Sequence, residues 1–225
     1  MVETLFFSAK TYGEWQRDPT LQEFMSLRNV GRSVFGIGGE EDERILMGFA
    51  DRLFLDFILV RQRWQNIVEF GTWTGLTSLY LGISAALKGQ TFITYDFKDY
   101  RLEEVKGLWH PVMEFELVNL LGVEPQEDNR PVERVSGDWR PVQSVIERVS
   151  RPDTLLLVDN GSKKDEARLY CPYLQPGSGF LIHDWDVEVT MEDIFEVVGQ
   201  NNFQLAYNDM AEMFGSHLRF FSKPL

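Results

Sequence analysis

The chain has a single cysteine, Cys171, among its 225 residues. An intrachain disulfide and a cysteine-based zinc site are therefore excluded, and Cys171 is expected to pack as a small apolar residue against a sheet. Basic side chains are scarce as well, with 22 Lys and Arg against 35 Asp and Glu and a formal charge of -13. That sign repels a phosphate backbone, and no basic stripe offsets it, so neither DNA nor RNA is an expected partner. No apolar run is long enough to cross a bilayer, and residues 1–10 lack a basic stretch followed by a long apolar core. Neither membrane insertion nor secretion is expected, and the cytoplasm is the expected location. Internal repeats, low-complexity tracts and interdomain linkers are also missing, and the length suits one domain with a helical extension.

A further absence shapes the most informative stretch, Ile67-Val68-Glu69-Phe70-Gly71-Thr72-Trp73-Thr74-Gly75-Leu76-Thr77-Ser78. An apolar strand here runs into a glycine-bracketed turn and then a helix. A dinucleotide-binding turn reads G-x-G-x-x-G, and Trp73 stands where its middle glycine would be. Gly71 still allows a tight turn, and Gly75 allows a ligand or the following helix to approach the main chain. The spacing Glu69-x-Gly71-x-x-x-Gly75 resembles motif I of the class I S-adenosylmethionine-dependent methyltransferases. It is most similar to the form found in the catechol O-methyltransferase-like and cephalosporin-hydroxylase-like families. The resemblance implies S-adenosylmethionine as cofactor, held by Glu69, Gly71, Thr72, Trp73, Gly75 and Thr77, with Glu69 orienting the turn and facing the cationic methionine end. A strand-turn-helix junction without a ligand is the plainer alternative, and two glycines do not decide between them.

Later segments follow the family's order. Thr91–Asp96 reads as a β-branched and aromatic strand ending where the resemblance places a carboxylate on the ribose hydroxyls. Asp96 is the candidate, with Asp99 near enough to compete. Val132–Val135 is expected as the third strand. Ser136-Gly137-Asp138-Trp139 after it is similar to the family's G-D pair, which assigns Asp138 to the adenine amino group and lets Trp139 stack on the purine. Pro141 is expected at an early helix position, where its missing N–H costs nothing. Thr154–Asp159 is a continuous apolar run suited to a strand covered on both faces, and it leaves Asp159 at the sheet edge. The charges of Lys163, Lys164, Asp165, Glu166 and Arg168 read most simply as a solvated helix face. Leu174–Gly179 resembles the family's Pro-Gly-Gly turn and leads into the strand Phe180–Trp185. Phe203–Tyr207 and Leu218–Phe221 are expected as the last two strands.

The implied fold is α/β: a Rossmann-like, seven-stranded, mostly parallel sheet with helices on both faces and an antiparallel last strand. Residues 65–225 form the expected core and residues 1–64 an N-terminal helical extension. Within that extension Tyr12–Arg28 has helical apolar spacing interrupted by Pro19. Glu43–Trp64 places Leu46, Phe49, Ala50, Leu53, Phe54, Phe57 and Ile58 on one side and Asp51, Arg52, Asp56 and Arg61 largely on the other. Ser33–Gly39, in a glycine-rich segment, is either a lid over the cofactor or a plain linker.

The expected chemistry centres on Asp159, His183 and Asp184, which end adjacent strands. In metal-dependent relatives the corresponding positions are three acids that hold magnesium against the acceptor oxygen. His183 replaces one acid here, which weakens the case for magnesium and leaves manganese or iron open. Alternatively His183 is a metal-free general base, since its ordinary pKa suits neutral pH, or a strand-end histidine bonded to a neighbour. Asp186 and Glu188 extend the acidic cluster and read as solvated acids or as outer support for it. His110 could face an acceptor, and His217 reads as structural. The resemblance implies O-methylation of a small-molecule acceptor in secondary metabolism, with homo-oligomerisation left open. A nucleotide-linked oxidoreductase and a non-catalytic cofactor-binding or assembly protein are the competing readings.

Overall fold

The structure is a computed structural model that describes residues 49–122 and 139–225. The expected helix over residues 12–28, the lid over 33–39, and the segment 132–138 with Asp138 lie outside the described residues. Residues Phe49–Leu225 form one compact unit.

The apolar run Thr154–Val158 forms strand β4, buried along its whole length. Such a strand needs neighbours on both edges and cover on both faces. Strand β1 (Asn66–Phe70) is one parallel neighbour, with Phe70 opposite Val158. Strand β5 (Gly179–Ile182) is the other, with Ile182 opposite the same Val158. Beyond β1 lie the parallel strands β2 (Thr91–Asp96) and β3 (Met113–Leu117). Beyond β5, strand β7 (Arg219–Ser222) runs antiparallel, and it pairs in turn with β6 (Gln204–Ala206). The order β3-β2-β1-β4-β5-β7-β6 is the expected Rossmann-like sheet, mostly parallel and with an antiparallel last strand.

One strand corrects the sequence reading. The place beside β2 belongs to Met113–Leu117, a segment not assigned as a strand from the sequence, while Val132–Val135 lies outside the described residues. Met113, Phe115 and Leu117 alternate with Glu114 and Glu116, the period of a half-covered strand. Glu114 reaches Arg148 on α4 (Gln143–Val149), which follows Pro141 and crosses back to β4.

The remaining helices make the other connections. Helix α1 (Phe49–Arg61) precedes β1, α2 (Leu76–Lys88) follows the glycine turn, and α3 (Glu103–Gly107) lies between β2 and β3. Helix α5 (Lys163–Tyr170) joins β4 to β5, and α6 (Met191–Gln200) follows β5 behind a capping box between Thr190 and Asp193. Helix α7 (Asn208–Phe214) links the last two strands. Tyr170 anchors the core, with its ring 5.0 Å from Phe70 and its hydroxyl donating to the Leu120 carbonyl at 2.7 Å. Cys171 is buried beside it, as expected. Phe57 packs edge-on against Tyr207 at 5.1 Å and ties α1 to the antiparallel end. The acids of α1 depart from expectation: Asp51 and Asp56 are buried, and Asp56 accepts a hydrogen bond from the Tyr80 hydroxyl.

Candidate functional site

Parallel strands bring their carboxyl ends to one edge, and β1 delivers Glu69, Phe70 and then Gly71 there. Gly71 has φ +92°, and a Cβ on it would lie 2.4 Å from the Asp159 carbonyl oxygen. Glycine is therefore required for the turn to pass the end of β4, a reason different from leaving room for a cofactor. At Gly75, φ +82°, a Cβ would meet Val105 at 2.9 Å and Arg101 at 3.0 Å, so this glycine admits the segment around α3. Between them Trp73 holds φ +48° and is 60% exposed.

Asp96 fixes this turn. Its Oδ2 accepts the backbone N–H of Thr72 at 3.0 Å and of Trp73 at 2.9 Å, and its Oδ1 accepts that of Phe97 at 2.8 Å. Burial raises its pKa, against the pull of those donors. The carboxylate expected on the ribose is thus directed at the main chain of the turn and is buried. Asp99, the competing acid, lies 2.9 Å from Arg101, whose hydrogen bonds hold its pKa near about 2.

Under the turn, Thr72 is buried with its hydroxyl 2.7 Å from that of Thr94. Glu69 is 1% exposed and accepts from the Ser78 hydroxyl. Burial pushes its pKa up to about 8, and the charges of Asp159 and Asp96 push the same way. Thr77 is half-buried in the first turn of α2. Over the turn stand aromatic rings: Tyr100 lies 5.3 Å from Trp73 and 5.4 Å from Phe97, which is 58% exposed. Phe97 and Tyr100 had a signal in the sequence, as aromatics directly after a strand that ends on an acid. Trp139, expected to stack on the purine, is half-buried at the start of the second described segment.

Two strands away the edge has another character. His183 follows β5 and places Nδ1 2.9 Å from Asp159 Oδ1 and 3.4 Å from Asp184 Oδ1. Its Nε2 lies 3.4 Å from Asp51 Oδ2. Asp51 is itself fixed by the Ser216 hydroxyl at 2.8 Å and the His217 backbone N–H at 2.6 Å. Burial alone would lower the pKa of His183, but hydrogen bonds to Asp159 and Asp51 and the charges of Asp159 and Asp184 outweigh it and hold the value at about 10. Lys163, at the start of α5, reaches into the same cluster: its Nζ is 2.8 Å from Asp184 Oδ2, 2.8 Å from Glu188 Oε2 and 3.7 Å from Asp159 Oδ1. Asp184 adopts φ +57°, uncommon for a residue with a side chain, and heads the tight turn that carries Glu188.

The structure thus brings Asp159, His183 and Asp184 together, as expected, and adds two residues that the sequence reading placed on solvated faces. Asp51 and Lys163 are both buried. Glu166, read as solvated too, is 1% exposed, accepts from Asn160 at 2.8 Å, and has its pKa raised by burial to about 8. Lys164 and Arg168 do sit outward, paired with Asp193 and Asp165. His110 is exposed just before β3, at the amino edge of the sheet and away from the site.

Ligand atoms of Asp159, His183 and Asp184 lie within 4.8 Å of one another, a spacing that could surround an ion. The donor set does not fit one. A metal needs a lone pair on an imidazole nitrogen and freely turned carboxylate oxygens. Here both His183 nitrogens face carboxylates, and a lysine ammonium already faces Asp159 and Asp184.

No protein-family model matches the chain, and no curated protein does. Solved structures do. A chain described as "cmcI-N160 SAH" is similar over 79% of this chain and 77% of its own, at 11% identity and a TM-score of 0.50, which supports the fold. Ribosomal protein L11 methylase from Lactobacillus delbrueckii subsp. bulgaricus aligns over 84% of this chain and 81% of its own, at 12% identity and a TM-score of 0.45. An S-adenosylmethionine-dependent methyltransferase from Mesorhizobium loti aligns over 77% and 98%, at 12% identity and a TM-score of 0.46.

Proposed function

We propose that the chain is an S-adenosylmethionine-dependent methyltransferase that methylates an oxygen of a small-molecule acceptor. The observation that carries this reading is the turn at the carboxyl edge of β1. Asp96 holds the amides of Thr72 and Trp73 in the turn and that of its own neighbour Phe97, so the turn is shaped before any ligand arrives. Preorganisation of that kind lowers the ordering cost of binding. Trp73, Phe97 and Tyr100 offer aromatic faces to a purine, and the resemblance assigns Glu69 and Gly71 to the methionine end.

S-adenosylmethionine, when bound, supplies an electrophilic methyl on a sulfonium. The chain must then align an acceptor oxygen with it and manage one proton. His183 is already protonated at neutral pH, so it serves as a fixed positive charge that orients the acceptor oxygen, not as the base. Asp159 and Asp184 are part-exposed carboxylates at the same edge and are the groups placed to take the hydroxyl proton. A formal charge of -13 favours a small acceptor over a nucleic acid.

Calorimetry with S-adenosylmethionine, S-adenosylhomocysteine and NAD tests the reading. Binding of the first two without the third is expected. Binding of NAD alone would transfer the chain to the oxidoreductases.

A further inference from the structure

We infer that Lys163 is the built-in cation of the β4–β5 edge and that its ammonium excludes a divalent metal from the cluster of Asp159, His183 and Asp184. The inference rests on the geometry of that edge and on the methyltransferase reading for the meaning of the site.

Lys163 directs its ammonium at two carboxylates within hydrogen-bond distance, those of Asp184 and Glu188 at 2.8 Å, and the charge of Asp159 stands 3.7 Å away. The side chain is 7% exposed, so it is not a surface lysine that has swung in by chance. Its position is set by the chain, because it opens α5 four residues after Asp159, and Lys163 and Asp159 are an i,i+4 pair. A divalent ion between Asp159 and Asp184 would have to displace this ammonium and leave it buried with Glu188 as its one remaining partner of the three. It would also have to part His183 Nδ1 from Asp159 Oδ1, which lie 2.9 Å apart. Oxygen-preferring ions gain little from an imidazole in return. The lysine therefore performs the charge-balancing task that an ion would otherwise perform.

The competition is directly measurable. Manganese is added to the full-length chain, and free Mn²⁺ is followed by its electron paramagnetic resonance signal. The wild-type chain is expected to show no specific site tighter than about 1 mM, the weak end of physiological cation sites. Lys163→Ala and Lys163→Gln, checked for folding by circular dichroism, are each expected to gain one site at least tenfold tighter, and Lys163→Arg to keep it closed. Addition of Asp184→Asn to either of the first two variants should remove the gained site. A wild-type chain that binds one Mn²⁺ tightly, and loses it on Asp184→Asn, would overturn the inference. Failure of both neutral variants to gain a site, while folded, would overturn it equally. Because the wild-type titration needs no variant, a variant that does not fold leaves the test intact. S-adenosylhomocysteine binding is measured on the same wild-type sample: its absence would remove the methyltransferase reading and leave the manganese result to judge Lys163 alone.

Discussion

The carboxyl edge of the sheet carries two acidic clusters that are stabilised in opposite ways. At the end of β1 and β2, Glu69 and Asp96 face hydroxyls and backbone amides among the described residues, and both have raised pKa values. At the end of β4 and β5, four carboxylates surround Lys163 and His183, and the histidine is held protonated. Among the described residues, the second cluster contains cations of the chain and the first is paired with hydroxyls and amides. That difference is what the proposed sulfonium cofactor at β1 and the proposed metal-free acceptor side at β4 would call for.

The comparison is broken most severely at Asp96. Asp96→Ala removes the acceptor of the buried Thr72 amide and of the part-buried Trp73 and Phe97 amides, at roughly 1–3 kcal/mol for the buried donor and less for the other two, so a loss of about 2 kcal/mol or more is expected. Urea denaturation reads the loss, and S-adenosylhomocysteine affinity should fall more than tenfold with it. An unchanged midpoint would mean that Asp96 does not hold the turn.

A change of pH acts on both clusters at once. Glu69 and Glu166 are raised from 4.5 to about 8, and His183 from 6.5 to about 10, so the folded chain binds more protons than the unfolded chain across that whole window. Stability then falls as pH rises, by at most about 1.4 kcal/mol per pH unit for each group in its own range. Urea midpoints at pH 5, 7 and 9 should decrease in that order. Glu69→Gln should flatten the portion below pH 8 and leave the alkaline limb in place. Midpoints that climb from pH 5 to pH 9 would contradict the shifts on both sides.

The finest distinction lies between two ligands. S-adenosylmethionine is positively charged at sulfur and S-adenosylhomocysteine is not. A positive charge near Glu69 lowers its pKa, so the first ligand should release a fraction of a proton near pH 7.5 and the second almost none. Calorimetry in two buffers of different ionisation enthalpy measures the release. Equal release by both ligands would remove Glu69 from the sulfonium end.

The glycine turn and the strand order were legible because their signals are local. Glu69-x-Gly71-x-x-x-Gly75 needs only seven consecutive residues, and each parallel strand announces itself as a short apolar run. The third strand was less so: Val132–Val135 has more β-branched residues, while Met113–Leu117 has the better alternation, and the alternation is what the structure uses. Lys163 and Asp51 were missed for a different reason. Helix periodicity assigns charges to the outer face, but a charge becomes buried when partners from distant segments surround it. Asp51 meets residues 132 to 166 positions away, and Lys163 meets Glu188 across a strand. Such pairings have no short-range trace in the sequence. The reading of Gly71 was right in demanding glycine, yet the crowding atom is the Asp159 carbonyl oxygen, which only the assembled sheet supplies.

That contact has a geometrical consequence for two-substrate chemistry. The Asp159 N–H donates to the Phe70 carbonyl at 2.9 Å, and one residue later Gly71 has no clearance from the Asp159 carbonyl. The stop that positions the proposed cofactor and the stop that positions the proposed acceptor are thus butted against each other with no adjustable part between them. Errors in one cannot accumulate independently of the other, so the angle and separation demanded by an in-line displacement are toleranced by one joint of main chain, and the side chains around it are free to vary with the acceptor.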